Sequence, residues 1–160
     1  MVVTYTAAVI TIDDKIYAGE RNDTAGPAVM KMLEEHGFKI AYHTVLPGEK
    51  ETITAGLIKC ADEIHVNLAV TAGGTGFSPR DITPEATLAA IERETRSIPV
   101  AMVSESMKLT PRACLFRGTA GIRGNTLIVN LPGSEKAARE NLSAVIEALG
   151  HGVEMLLPKG

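Results

Sequence analysis

Apolar positions along the chain switch repeatedly between two periods. Tyr5 to Ile12 is a nearly unbroken apolar run centred on Ala7-Ala8-Val9-Ile10, the pattern of a strand buried on both faces of a parallel sheet. Val29, Met32, Leu33 and His36 then recur at helical spacing. Asp23 or Thr24 caps that helix, Pro27 lies in its first turn and Gly37 stops it. Lys39 to Leu46 predicts a second strand, ended by Pro47-Gly48. Glu49 to Cys60 predicts a helix with Ile53, Leu57 and Cys60 on one face. A third strand, His65 to Val70, runs into a glycine-rich loop. A helix follows, capped by Thr83, with Pro84 at its first position, continuing to about Arg93. Glu94 to Ile98 reads as loop and Pro99 to Met107 as a short helix. Ala113 to Phe116 and Thr126 to Asn130 read as strands, with Arg117 to Gly124 as the loop between them. Ser134 caps the last helix, whose stripe is Ala138, Leu142, Val145, Ile146 and Leu149, and the segment from Met155 to Pro158 is a frayed or docked tail.

Strand and helix alternate throughout. That predicts an α/β fold: a three-layer sandwich, its mostly parallel sheet carrying helices on both faces, in one domain over residues 1–160. In such sheets ligands bind outside the carboxyl ends of the strands. Asp14, Gly48, the glycine-rich loop and Ser134 all fall there.

Composition narrows the function. A net charge of −3 suits neither a general nucleic-acid surface nor a membrane surface, and no segment has the length of a membrane span. Trp is absent and aromatics are 4% of residues, too few for base-stacking platforms. Cys60 and Cys114, the two cysteines, lack metal spacing and make no disulfide framework, as in a reducing cytosol. The four histidines are scattered, and neither a Ser-His-Asp nor a Cys-His arrangement is visible.

The stretch from Val70 to Ala86 carries the chemistry. Gly73, Gly74 and Gly76 let backbone N–H groups approach a ligand without an intervening Cβ, and consecutive inward N–H groups form an anion nest. Thr71 and Thr75 add hydroxyls, Arg80 adds a fork of donors, and Asp81 is the loop's carboxylate. The set suits phosphate with a metal ion. It is neither a dinucleotide fingerprint nor a P-loop, because Pro79 stands where a last glycine would be and no Gly-Lys-Ser/Thr follows.

The loop, Thr-x-Gly-Gly-Thr-Gly-x-x-x-Arg-Asp-x-Thr-Pro-Glu-Ala from Thr71 to Ala86, resembles the hallmark of the MoaB/Mog molybdopterin-binding domain, nearest to its molybdopterin adenylyltransferases. Asn130-Leu131-Pro132-Gly133-Ser134-Glu135-Lys136-Ala137 resembles the family's second signature, and the likeness runs from about Tyr5 to Leu149. The resemblance implies transfer of adenylyl from Mg²⁺-ATP to the terminal phosphate of molybdopterin, with release of pyrophosphate. It also implies a cytoplasmic homotrimer that passes its product to a metal-insertion protein. Carried over by position, Asp14, Thr71, Gly73, Gly74, Thr75, Gly76 and Arg80 would bind phosphates. Ser104, Ser106, Arg117, Pro132, Gly133 and Ser134 would join them, and Asp81 would hold Mg²⁺.

The chain departs from the family pattern at several points. Asp13-Asp14 replaces Ser-Asp, Ala25 replaces a serine, and Phe116 stands where a serine is common. The family's functional aspartate after the second strand is Gly48 here, so Glu49 is the expected catalytic stand-in, or Asp13 compensates. Without either, the protein would bind pterin or nucleotide as a non-catalytic carrier.

Overall fold

The computed structural model describes residues 4–158. Six strands form one sheet in the order β2-β1-β3-β6-β5-β4. They are β1 (Tyr5–Ile12), β2 (Phe38–Leu46), β3 (Leu68–Ala72), β4 (Arg93–Glu94), β5 (Ala120–Arg123) and β6 (Thr126–Leu131). The first three and β6 run parallel, while β5 and β4 are antiparallel additions at one edge. The helices are α1 (Asp14–Tyr17), α2 (Ala25–Glu35), α3 (Lys50–Lys59), α4 (Thr83–Ala90), α5 (Ser97–Ser106) and α6 (Glu135–Leu156).

Alternation along each strand builds the two cores. Ala7, Val9, Leu68, Val70, Leu127 and Val129 pack with α2, α5 and α6 on one face. Ala8, Ile10, Ile12, Ala69 and Ile128 pack with α3 and α4 on the other. A strand whose side chains enter both cores must be apolar at every position, which is why β1 reads as a continuous run. The three-layer arrangement with a mostly parallel sheet is as expected. Among the described residues, no helix is long and apolar enough to cross a membrane.

Several boundaries moved for local reasons. β3 starts at Leu68, not His65: a π turn over Cys60–Ile64 carries α3 onward, and His65 closes it at φ 58°. The helix α4 ends at Ala90, because Ile91 is already extended, and Arg93–Glu94 pairs as a two-residue strand where the end of the helix and the start of a loop were expected. Thr83 is inside α4 and Ile82 is its N-cap residue, so the expected threonine cap is absent. At α2 the N-cap position is Thr24, which makes no side-chain capping bond; the acceptor is the preceding Asp23, whose Oδ1 takes the Gly26 N–H at 2.9 Å. The last helix continues to Leu156, so much of the expected tail is helical.

The largest correction concerns residues 113–124. The apolar Ala113 to Phe116 is not a strand: Pro111–Leu115 is a 3₁₀ turn started by Pro111 and by Thr110, whose side chain accepts from Arg112 N. The strand lies instead at Ala120–Arg123, paired to β6 through a two-residue turn, Gly124-Asn125, in which Gly124 has φ 57°.

One buried polar side chain ties this sheet together. Asn130 of β6 is fully buried. Its Oδ1 accepts from Thr119 N at 3.0 Å, and its Nδ2 donates to Thr71 Oγ1 at 3.0 Å and Thr87 Oγ1 at 2.9 Å. Three segments and α4 thus meet at one amide whose valences are satisfied. Removing it strands a backbone N–H and two hydroxyls in a dry interior, at roughly 1–3 kcal/mol for each unmet group. Asn130→Ala should therefore cost about 3 kcal/mol or more of unfolding free energy. Urea denaturation showing a loss under about 1 kcal/mol would mean that the network contributes little.

Candidate functional site

β1 connects to β2 on one side of the sheet and β3 lies on β1's other side, so the chain reverses direction between β1 and β3. A crevice is expected beyond the carboxyl ends of such a strand pair. The structure has a cleft of about 990 Å³ there, floored by Ile12 and Gly73. Four segments wall it: Asp13 to Ile16 with Arg21, Asn22, Thr24 and Ala25; Gly48; Gly73 to Gly76 with Ser78, Arg80 and Asp81; and Gly133 to Glu135.

The glycine-rich loop is held from behind through its carbonyl groups. Thr83 N donates to the Gly74 carbonyl at 3.0 Å, Arg117 N to that of Thr75 at 3.0 Å, and Arg117 Nε to that of Gly76 at 2.7 Å. In a trans peptide the next residue's N–H points the opposite way from the carbonyl. The amides of Thr75, Gly76 and Phe77 are therefore turned away from the body of the protein, with no acceptor among the described residues. That is an anion nest. Only glycine fits the approach to it. Gly73 and Gly74 have φ 112° and 72°, and a Cβ on either would collide, with the Ile12 carbonyl and with Thr83 Oγ1 respectively.

Across the cleft, Ser134 starts α6, its Oγ accepting from Ala137 N at 3.2 Å. Gly133 packs against Gly73, to which an added Cβ would come within 3.2 Å. The N-terminus of a 22-residue helix therefore faces the nest, and its unpaired N–H groups favour negative charge.

Several charged groups at the cleft are paired. Arg80 Nε and Nη2 donate to Asp14 Oδ2 and Oδ1 at 2.9 and 2.8 Å, joining the glycine-rich loop to α1. Gly48 N donates to Asp14 Oδ1 at 2.9 Å. The Arg80 bonds first, then the Gly48 N–H, hold the Asp14 carboxyl down to about 2. Asp13 accepts from Ile16 N at 2.9 Å and pairs with Arg21. Asp81 Oδ2 accepts from Ser78 N and Oγ at 3.0 and 2.6 Å, closing the loop's last turn.

Of the residues expected to bind phosphate, Asp14, Gly73, Gly74, Thr75, Gly76, Arg80, Gly133 and Ser134 line this one cleft, as does Asp81. The others lie elsewhere. Thr71 is a buried β3 residue whose hydroxyl serves Asn130, because the strand runs two residues further than its apolar run suggests. Ser104 and Ser106 sit on α5, away from the cleft lining, Ser106 buried and Ser104 exposed. Pro132 is half-buried just behind Gly133 and does not line the cleft.

Arg117 is a buttress and not a wall: besides the loop carbonyls it bonds Asp81 O at 2.6 Å and the Glu85 carboxylate at 2.9 and 3.2 Å. Its guanidinium holds the Glu85 carboxyl below the usual range. Glu49 turns along the first turn of α3, where its Oε2 accepts from Thr52 Oγ1 at 3.1 Å, and it is not part of the lining. Lys15, Ile16, Arg21 and Asn22 join the lining unforeseen. They follow the carboxyl end of β1, so the rule that picked out Asp14 reaches them too.

A protein-held Mg²⁺ does not fit these donors. Among the described residues no three of His, Cys, Asp and Glu cluster as metal ligands. Asp14 is committed to Arg80, and position 48 has no side chain. The arrangement can hold an anion with several phosphate oxygens between the nest and the start of α6.

Comparison with known proteins agrees with this geometry. A family model described as the probable molybdopterin binding domain matches residues 8–151. The molybdopterin adenylyltransferase of Helicobacter pylori is 38% identical over 151 residues, 93% of this chain and 86% of that protein. The molybdenum cofactor synthesis protein cinnamon of Drosophila melanogaster is 40% identical over 152 residues, 94% of this chain and 25% of that protein. The chain thus spans about a quarter of the length of that larger relative. The crystal structure of the molybdopterin biosynthesis enzyme MoaB from Thermus thermophilus superposes with a TM-score of 0.91 at 40% identity, covering 96% of both chains. With the family model spanning most of its length and the cleft at the expected place, the chain belongs to the molybdopterin-binding domain family.

Proposed function

We propose that the protein is a molybdopterin adenylyltransferase of molybdenum cofactor biosynthesis. The observation that carries this reading is the pair of anion sites facing each other, the glycine-rich nest and the start of α6. Two phosphorylated substrates need such a facing pair, and the Helicobacter relative bears the name of this activity. An oxygen of the pterin's terminal phosphate attacks the α-phosphorus of ATP. The bond to the β-phosphate oxygen breaks, and pyrophosphate leaves with the electron pair. The protein's share is alignment and charge: the amides of Thr75 and Gly76 hold phosphate oxygens, and Arg80 and Lys15 offset their charge. Asp81 keeps Oδ1 without a partner among the described residues, and its charge would be available to the Mg²⁺ that enters with ATP as part of the substrate. The adenylylated pterin is then consumed by a metal-insertion protein.

A second reading, pterin binding without transfer, is favoured by the glycine at position 48 alone. A single-turnover assay with molybdopterin and Mg²⁺-ATP separates the two. Pyrophosphate formed in step with bound pterin supports transfer, and bound pterin without pyrophosphate supports the carrier. Asp81→Asn keeps the acceptor for Ser78 and removes the charge. It should fold with an unchanged melting temperature and lose at least tenfold in transfer rate, about 1.4 kcal/mol in the barrier. An unchanged rate at saturating Mg²⁺ would remove Asp81 from the reaction.

We further assign the protein to the cytosol, where its free cysteines Cys60 and Cys114 suit a reducing compartment. Its assembly is a homotrimer. The helix α5 and the segment after it expose the apolar side chains Val100, Met107, Leu109 and Leu115, which a neighbouring copy would cover. Sedimentation equilibrium at micromolar concentration should give three times the chain mass of 16.9 kDa. A single-chain mass would refute the assembly.

A further inference from the structure

Position 48 decides how this cleft handles charge. Gly48 is buried at the carboxyl end of β2, and a Cβ built on it would lie 2.7 Å from the Arg80 carbonyl oxygen. Backbone does not yield that space cheaply. A carboxylate therefore cannot stand there while the Arg80 turn keeps its present course. In its place the Gly48 N–H points at Asp14, and Asp14 takes the Arg80 fork through both oxygens.

Of the remaining acids, Asp13 caps α1 and pairs with Arg21, and Asp81 closes the Ser78 turn with one oxygen, while Glu135, in the first turn of α6, has no partner among the described residues. Mg²⁺ demands near-octahedral oxygen ligands and is usually held by one or two carboxylates together with substrate phosphates. Asp81 Oδ1 and the Glu135 carboxylate are left over, and among the described residues they belong to no cluster of three metal-ligating side chains. The donors that do stand unengaged are of the opposite kind: the nest amides, and the Lys15 ammonium, which has no acid partner among the described residues.

We propose that this cleft holds no divalent cation of its own and binds polyphosphate through the nest amides, Arg80 and Lys15, with Mg²⁺ arriving and leaving only as the nucleotide's counter-ion. The inference rests on the nucleotide-binding reading above and adds a sign to it. Stripping Mg²⁺ from ATP roughly doubles the nucleotide's negative charge. A site of amides and cations then binds the stripped nucleotide at least as well as the metal complex, whereas a site that carries a metal on carboxylates loses it. Asp14 becomes a competitor of the phosphate for Arg80.

Calorimetric titration of ATP in EDTA and in excess Mg²⁺ tests this, beside a spin-resonance titration of Mn²⁺ alone. Binding in EDTA as tight as in Mg²⁺ or tighter, with no Mn²⁺ bound below millimolar, is the expected result. Arg80→Gln should weaken the EDTA-state binding about tenfold, and Asp14→Asn should strengthen it severalfold by releasing the guanidinium. ATP binding that is tenfold or more weaker in EDTA overturns the proposal, as does micromolar Mn²⁺ bound without nucleotide. Either result leaves the adenylyltransferase reading standing. ATP bound in neither condition sinks that reading itself, and this inference with it.

Discussion

Arg117 holds the glycine-rich loop in shape. Through its own N–H and its guanidinium it reaches the carbonyls of Thr75, Gly76 and Asp81, and it anchors to the first turn of α4 through Glu85. The carbonyls of Thr75 and Gly76, taken by Arg117, and that of Gly74, taken by Thr83 N, turn the amides that follow them outward. The course of the loop is therefore a consequence of where this arginine and the start of α4 sit, and glycine permits the conformation without selecting it. Because Arg117 precedes β5 by only a few residues, the loop's shape depends on the antiparallel edge of the sheet as well as on its parallel centre.

The same coupling operates deeper in the fold. Asn130, Thr71 and Thr87 join β6, β3 and α4 beneath the loop. β3 delivers the chain into the loop and α4 receives it. A fully satisfied polar node between them fixes the separation of the loop's two ends, which an apolar contact, lacking direction, would specify less sharply. The second anion site is registered against the first in a similar way. Gly73 N donates to the Leu131 carbonyl at 3.0 Å, and Gly133 lies against Gly73 without a side chain between them.

Gly48 and Asp14 meet at the Arg80 turn. A Cβ on Gly48 would lie 2.7 Å from the Arg80 carbonyl oxygen, and Asp14 accepts both the Gly48 N–H and the two-pronged donation of the arginine. That pair bridges α1 and the glycine-rich loop at the mouth of the cleft. The charges are exposed, so the bridge adds little to stability. Its weight lies in which charges face the cleft: the arginine is presented together with the acid that occupies its fork.

The strands β1, β2, β3 and β6, the helices between them, the three-layer class and the cleft at the strand ends were legible in the chain, because burial on two faces demands apolar runs and helices demand their own period. Gly73, Gly74, Gly76, Arg80, Asp81 and Ser134 were legible as cleft residues for a similar reason: local turn chemistry places them wherever the strand ends. What local pattern could not decide was which partner each polar group finds. Thr71 looked like a loop hydroxyl until β3 extended and Asn130 took it. Arg117 looked like a wall of the cleft, and its guanidinium turned out to lie behind it. Glu49 looked able to replace a missing acid, and the first turn of α3 engaged it with Thr52. The apolar Ala113 to Phe116 looked like a strand, yet Pro111 and the Thr110 cap made it a 3₁₀ turn, while Ala120–Arg123 gained its pairing from β6. Each of these depends on residues from other segments or on a cap outranking an apolar run, and only packing the tertiary structure settles such contests.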